Sequence, residues 1–479
     1  MQLRATTSLC TTCLRSVPAE VIRRGDQVVM TKRCAEHGAS EVVVAHDADW
    51  YERISTYAAR PTPPPVPRPV ERGCPFDCGP CAQHAQTAML PIVPITSACN
   101  LDCPICYTHN RNAGAFHMSE AELRAILGHI VRTDPERRII NLTGGEPTMH
   151  PDFARLVELC HVEGIRRITI STHGLGLLKD EALVARLAAL DARVILSFDS
   201  FRDATNQALL GATLTEAKLR VLALLERHGV ATTLLPVIAR GHNHDELGAF
   251  VDLALGRDGI RSLELHTMTF TGQGGRDFDA QARYTPDQVL ADLEAQTAGR
   301  LRKDDFVPSP AAHPTCYQVA YLLRIAPDRW LPFARFMSWD EQRAMLAGML
   351  YLEPGPAAEM TLRDVIDRLW TDASAGEDTD LVLAALRGVI DTVFAPDLAP
   401  DARLRASERW SKAIYVHAHM DETTFDTDRI KLCCVGIREP DGRNIPSCAY
   451  NVLYRNRDPR FAEQPAPALI TLGRGRPAS

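Results

Sequence analysis

Among the 479 residues there is no run of about 18 apolar side chains, the length a bilayer-spanning helix needs. The opening Met1-Gln-Leu-Arg-Ala-Thr-Thr-Ser8 has no apolar core followed by a small-residue cleavage site, so a secretory leader is not expected. An excess of basic charge is missing too. With a net charge of −7 and a pI near 6.2, the composition argues against a protein that coats nucleic acid. What is plentiful is cysteine. The fourteen thiols fall in tight groups with metal-ligand spacing, which points to thiolates in a reducing cytoplasm and not to a disulfide framework. With 45% hydrophobic and 24% charged residues the chain can bury a full core, and its length predicts more than one domain.

The N-terminal residues 1–59 carry Cys10-Thr-Thr-Cys13, then Arg23–Met30, then Cys34-Ala-Glu-His37. Two knuckles separated by a hairpin form a ribbon whose four soft or borderline ligands, Cys10, Cys13, Cys34 and His37, suit one tetrahedral zinc or one mononuclear iron. A segment this short has little core of its own, and a metal staple would supply the missing stability. Residues 60–73, with Pro-Thr-Pro-Pro-Pro-Val-Pro, read as a polyproline linker at a domain boundary.

Two triplets follow with the same Cys-x3-Cys-x2-Cys spacing, Cys74/Cys78/Cys81 and Cys99/Cys103/Cys106. Three thiols on one loop can hold three irons of a cubane [4Fe–4S] cluster and leave the fourth iron open, whereas a four-ligand zinc or cluster site is closed. Only the second triplet directly follows an apolar strand, Pro91–Thr96, and leads into a βα series. Segment 74–90 therefore reads as an auxiliary iron–sulfur site with His84 or a remote cysteine as fourth ligand.

Strands are expected at 91–96, 138–142, 166–172, 192–198, 231–238 and 261–268, with helices near 119–132, 152–163, 179–190, 215–229 and 244–257. Ser119-Glu-Ala-Glu122 is a capping box. Strands alternating with helices imply parallel pairing by right-handed crossovers. The fold class is thus α/β, a partial (β/α)6 barrel over 91–270, whose chemistry belongs at the C-terminal ends of the strands. Those ends are Gly144-Gly145-Glu146-Pro147, Ser171-Thr172-His173-Gly174, Ser197-Phe-Asp199-Ser200, Arg240-Gly-His242-Asn243-His244 and Glu264-Leu-His266. Paired glycines permit close approach of backbone, and a carboxylate beside exposed carbonyls suits an ammonium. His242 and His244 read as loop residues, and Gly272-Gln-Gly-Gly275 as a flexible rim over the substrate.

Residues 271–479 contain two helical stretches, about 358–370 and 379–393, and the cysteines Cys316, Cys433, Cys434 and Cys448. Asp441-Gly442 reads as a hairpin turn between Cys434 and Cys448. Adjacent thiols diverge in extended chain, so Cys433 and Cys434 can serve different centres, one of them the 74/78/81 site. His417-Ala-His419-Met-Asp421 either lines the active site or is structural. Cys160, on a barrel helix, reads as a buried apolar residue.

The Cys99 triplet followed by Gly-Gly-Glu-Pro resembles the radical S-adenosylmethionine (SAM) superfamily. The resemblance implies that Cys99, Cys103 and Cys106 hold a [4Fe–4S] cluster whose open iron is chelated by SAM. It also implies that Gly144, Gly145, Glu146, Pro147, Thr172, Ser197, Asp199 and Asn243 line the SAM site. His173 departs from the Thr-Asn-Gly segment common in the superfamily. The order of all parts, from the Cys/His knuckle to Cys433-Cys434…Asp441-Gly442…Cys448-Ala-Tyr-Asn451, resembles the archaeal tetraether lipid synthase group, once described as class D radical SAM methyltransferases acting on pterins. That resemblance implies one or two auxiliary clusters and a mononuclear metal. It further implies carbon–carbon bond formation on a lipid chain or methylation of an unactivated carbon. A small-molecule or lipid substrate, an electron donor such as flavodoxin or ferredoxin and, for a lipid, peripheral membrane contact go with it. The tail from Cys434 to Cys448 also resembles the first part of a SPASM auxiliary domain, as in peptide maturases, although no cysteine follows Cys448. A non-catalytic multi-zinc or redox-carrier protein would leave Gly144–Pro147 without a purpose.

Overall fold

The computed structural model describes residues 1–57, 59–79, 81–108, 110, 112–134, 138–372 and 376–462. The last part of the region expected at 271–479 thus lies outside the described residues.

The N-terminal ribbon is a four-stranded antiparallel sheet, β1 (Gln2–Leu9), β2 (Ser16–Arg24), β3 (Gln27–Cys34) and β4 (Gly38–Ala45), in sequential order. Gly25, at φ +61°, makes the turn between β2 and β3. The ribbon does not stand alone behind a spacer. Val28, Met30, Trp50 and Ile54 belong to the same apolar core as Val93, Ile95 and Leu142 of the barrel. Lys32 Nζ reaches the carbonyl oxygens of Glu422 and Thr423 at 3.0 and 2.9 Å, and Asp287 accepts from the N–H groups of His46 and Asp47. The proline-rich stretch is likewise seated on the body, with Arg60 N–H on the Pro310 carbonyl and Thr62 N–H on Gln86. Core sharing therefore supplies stability that the sequence assigned to a metal staple alone.

The barrel strands are β5 (Leu90–Thr96), β6 (Ile139–Gly144), β7 (Arg167–Thr172), β8 (Arg193–Ser197), β9 (Thr232–Leu235) and β10 (Ile260–Thr267), all parallel to their neighbours. The helix Glu120–Thr133 begins at the expected capping box and buries Leu123, Ile126, Leu127 and Ile130, one stripe of a 3.6-residue period. Cys160 is fully buried in the apolar core.

The C-terminal region is built into the same sheet, not appended to it. β12 (Ser411–His417) pairs in parallel with β10, and β11 (Tyr317–Ala326) lies antiparallel beyond it. At the opposite edge β13 (Val435–Arg438) pairs in parallel with β5, and the turn at Gly442 returns the chain as β14 (Asn444–Pro446). Outside β11 lies the two-residue strand Val307–Pro308, and from β11 the order across the sheet is β11-β12-β10-β9-β8-β7-β6-β5-β13-β14. Residues 418–434 cross from one edge of the barrel to the other. The helices Pro356–Asp372 and Thr379–Val393 cover a second apolar core on β11.

Candidate active site and metal centres

A cavity of about 260 Å³ opens at the C-terminal ends of the barrel strands. Cys99, Cys103 and Cys106 line it together with Gly144, Gly145, Glu146, Thr172, Ser197 and Asp199. The glycines are required by close approach. A Cβ on Gly144, at φ +151°, would lie 2.2 Å from the Thr96 carbonyl oxygen, and one on Gly145 would lie 2.3 Å from that of Ala98. Gly145 N–H and Glu146 N–H donate to those two carbonyls at 2.9 and 2.7 Å, so the end of β6 is stitched to the loop that carries Cys99. Burial pushes the Cys99 thiol up to about 11 and Cys103 higher still. Thiols held this way need a cation to become thiolates, which suits an iron–sulfur cluster.

Glu146 is fully buried and organises the cradle. Its Oε1 accepts from Thr172 Oγ1 at 2.6 Å and Thr148 Oγ1 at 2.7 Å, and its Oε2 from His173 N–H at 2.9 Å. His173 has a defined role. Its Nδ1 accepts from Leu175 N–H at 3.1 Å, so Nε2 carries the proton, facing Asn100 Oδ1 at 2.7 Å and Glu146 Oε2 at 3.3 Å. The imidazole thereby ties the triplet loop to the ends of β6 and β7. Burial lowers its pKa and keeps it neutral.

Lys218, which the sequence reading missed, enters the cavity from helix Thr215–Arg227. Its Nζ donates to the Ser197 carbonyl at 2.6 Å, beside Asp199. The signal was present: Lys218, Val221, Leu222 and Leu225 form one buried stripe, so a lysine occupies an apolar-face position. Burial raises the Asp199 pKa and lowers that of Lys218, each opposed by the charge of the other. Asp199 also accepts from Val237 N–H at 2.9 Å. On the far wall lie Asn451 and Arg455, whose Asn451 Oδ1 and Arg455 Nε and Nη2 are buried without a hydrogen-bond partner.

Three assignments are corrected. Asn243 is fully buried and does not line the cavity; both its amide hydrogens go to carbonyls of Asp199 and Val237, and its oxygen accepts from Ala239 N–H. It staples the turn that follows β9. Pro147 is the first residue of a short 3-10 helix outside the cavity lining. The 272–275 loop is a brace and not a mobile rim. A Cβ on Gly272 would lie 2.5 Å from the Tyr107 backbone, Gly274 N–H donates to the Cys106 carbonyl, and Gln273 holds Asp102 at 2.6 Å.

In the ribbon, the ligand atoms of Cys10, Cys13, Cys34 and His37 all lie within 4.8 Å of one another. Cys13 and Cys34 sulfurs are 4.0 Å apart, close to the ~3.8 Å edge of a tetrahedron with Zn–S bonds of about 2.3 Å. Backbone N–H groups of Cys13 and Thr12 hold the Cys10 thiol below its ordinary range, and those of Glu36 and His37 do the same for Cys34. This donor set fits one small ion.

Cys74, Cys78 and Cys81 surround a much smaller space with Lys431 and Pro446. His84 is turned away from metal binding: its Nε2 donates to the Cys433 carbonyl at 3.0 Å, and the Gln86 backbone engages the ring as well. That bond holds Cys433 near the triplet, within electrostatic reach of Cys78, Cys448 and Cys316. Cys434 is packed in the second apolar core and interacts with Cys433 and Cys316. Burial pushes Cys74 up to about 12 and Cys448 up to about 11, again the mark of thiols that only a cation turns into thiolates.

Residues 93–254 match the model of the Radical SAM superfamily, and residues 2–46 match that of the HMPTM N-terminal zinc ribbon domain. The chain is 25% identical over 478 residues to 7,8-dihydro-6-hydroxymethylpterin dimethyltransferase of Methanocaldococcus jannaschii, covering 94% of each. It is 32% identical over 163 residues to the mycofactocin maturase MftC of Mycobacterium ulcerans, covering 33% of this chain and 42% of that relative. Among solved structures, SuiB of Streptococcus suis bound to its precursor peptide SuiA superposes with a TM-score of 0.36 and 19% identity, over 45% of this chain and 46% of that one. No helix among the described residues is long and apolar enough to cross a membrane. The barrel behind Cys99 is a radical SAM domain carried after an N-terminal zinc ribbon, and the protein is a radical SAM enzyme whose cofactors are a [4Fe–4S] cluster and SAM.

Proposed function

We propose that this enzyme forms a carbon–carbon bond at an unactivated carbon, in the form of a methyl transfer. The observation that carries the reading is the likeness to the M. jannaschii dimethyltransferase, which extends over 94% of both chains and so includes the ribbon and the C-terminal cysteines as well as the barrel. In this reading Cys99, Cys103 and Cys106 hold three irons of the cluster. The cluster with SAM supplies a carbon radical able to take a hydrogen atom from an inert C–H bond. The residues of the chain supply aim. The Gly144-Gly145 backbone gives the amino group of SAM carbonyl acceptors, Glu146, Thr172 and His173 keep that backbone in place, and Lys218 offers an ammonium to the carboxylate of SAM. Ser197 and Asp199 close the ribose side. Cys74, Cys78 and Cys81 with Cys433, and Cys316 with Cys448, are the auxiliary-cluster ligands, fed by a one-electron donor of flavodoxin or ferredoxin type.

The substrate end of the cavity supports a molecule with both an apolar part and an anionic group. Leu90, Ile92, Pro94, Val435 and Ile437 form an apolar wall, while the Arg455 guanidinium, packed 4.2 Å over the Phe461 ring, keeps Nε and Nη2 without a hydrogen-bond partner. The apolar wall favours a second reading, the coupling of two lipid chains. Anaerobic enzyme with SAM and a reductant, offered a reduced pterin or an isoprenoid lipid, tests both. Methyl transfer adds one CH2 to the substrate mass; coupling gives a product of two substrates less two hydrogens. Formation of 5′-deoxyadenosine with neither product from either substrate overturns the proposal.

A further inference from the structure

Outside the cysteine groups, the described residues bring one more set of ligand atoms together: His266, His417 and His419 all lie within 4.8 Å of one another. The sheet places them. In the parallel pairing of β10 with β12, His266 is the register partner of His417. Glu264 is two residues before His266 and so on the same face of β10, and His419 is two residues beyond His417. His417 Nδ1 and His266 Nε2 are 3.3 Å apart, and Glu264 Oε1 is 2.9 Å from His266 Nε2 and 3.6 Å from His417 Nδ1. A first-row ion with metal–nitrogen bonds of about 2.0–2.1 Å sets tetrahedral ligand atoms ~3.3 Å from one another.

The rings are held in place. Tyr317 stacks on His417 with centroids 3.7 Å apart and planes at 16°, and Tyr107 stacks on His419 at 5.3 Å and 22°. His266, His417, His419 and Glu264 all face the cavity that Cys99 and Cys106 line. Three imidazoles with a carboxylate at their edge suit zinc or ferrous iron better than calcium or magnesium.

We propose that His266, His417 and His419 bind a divalent first-row transition ion, zinc or ferrous iron, with Glu264 balancing part of its charge. Three protein ligands leave a position open toward the cavity, where the ion takes an oxygen or nitrogen of the substrate and fixes the carbon presented to the radical. This site lies apart from the ribbon's four ligands and borders the auxiliary-cluster thiols, with His419 Nδ1 3.6 Å from Cys448 Sγ. It does not depend on whether the enzyme methylates or couples.

The test is metal analysis of the anaerobically reconstituted full-length enzyme. Metal in excess of acid-labile sulfide counts the ions outside [4Fe–4S] clusters. Two equivalents per chain are expected, one in the ribbon and one here; a single equivalent overturns the proposal. In the His266→Gln/His417→Gln variant the excess falls to one equivalent with the sulfide content retained; an unchanged excess overturns it. Should that variant lose its clusters, Glu264→Gln decides by chelator competition, with metal affinity at this site expected to fall about 10–100-fold; unchanged affinity overturns the proposal. Cobalt(II) provides an independent spectrum. A second, nitrogen/oxygen d–d envelope is expected beside the d–d bands and sulfur-to-cobalt charge transfer of the Cys10 knuckle, and the knuckle's bands alone count against the site.

Discussion

Cys74/Cys78/Cys81 and Cys99/Cys103/Cys106 have identical spacing and unlike surroundings. The second triplet leaves the end of β5, is stitched to the glycines of β6 and opens on a cavity of about 260 Å³. The first is seated on Lys431 and Pro446 around a space of about 10 Å³, with Cys433 drawn beside it by the His84 bond. Spacing therefore selects the kind of metal centre, and the neighbouring backbone selects whether that centre is open to a ligand.

The largest effect that could break this contrast comes from deleting each triplet in turn. Replacing Cys99, Cys103 and Cys106 by Ala should reduce reductive cleavage of SAM to background. Replacing Cys74, Cys78 and Cys81 should abolish product while abortive 5′-deoxyadenosine formation persists, as read by chromatography of quenched reactions. Loss of cleavage in the Cys74/Cys78/Cys81 variant with the Cys99 cluster intact would mean that the two triplets are not functionally separate.

A smaller effect should follow from the cation that enters the open cavity, Lys218. Lys218→Met keeps most of the volume and removes the ammonium. Truncating one member of a buried charge pair costs about 2–5 kcal/mol, so the Kd for SAM should rise by roughly 30-fold or more, with the cluster content unchanged. Equilibrium dialysis with SAM measures it.

Glycine substitutions sharpen the comparison further. Gly144 and Gly79 both sit at φ +151°. An added Cβ meets the Thr96 carbonyl at 2.2 Å in the first case and the movable Arg443 side chain at 3.3 Å in the second. Both Ala variants carry the same backbone strain, but Gly144→Ala should be less stable than Gly79→Ala by about 1–3 kcal/mol in denaturant titration, the usual cost of overpacking.

The smallest expected effect concerns the ribbon. Cys10→Ser should lower thermal stability by a few degrees while leaving SAM cleavage intact, because β3 and the following helix share the barrel core. Unfolding of the whole chain on loss of this one ligand would show that the ion, and not the shared core, carries the N-terminal region.

Much of this arrangement was legible in the chain because it is local. The six strands and their helices follow from hydrophobic period, the start of Glu120–Thr133 from Ser119 and Glu122, and the end of β6 from paired glycines. Partnerships across long separations were not legible. Nothing in residues 411–417 announces that Ala413 will pair with Ser262, or that Val435 will pair with Leu90. Asn243 and His84 look like ligands by residue type, yet both are turned to backbone carbonyls that become available only after folding. Lys218 was overlooked because a lysine on a helix is ordinarily solvated, although its neighbours on the same stripe are all apolar.

The crossing of residues 418–434 has a consequence for how the enzyme is made. During synthesis the Cys99 loop, the glycine cradle and Lys218 leave the ribosome long before β12 and β13 do. Until those two strands dock, His417, His419, Val435 and Ile437 are missing from the walls and the iron ligands face open solvent. The final segment acts as a late clasp, so the interval before it shuts is the natural window for the assembly machinery to deliver iron and sulfide.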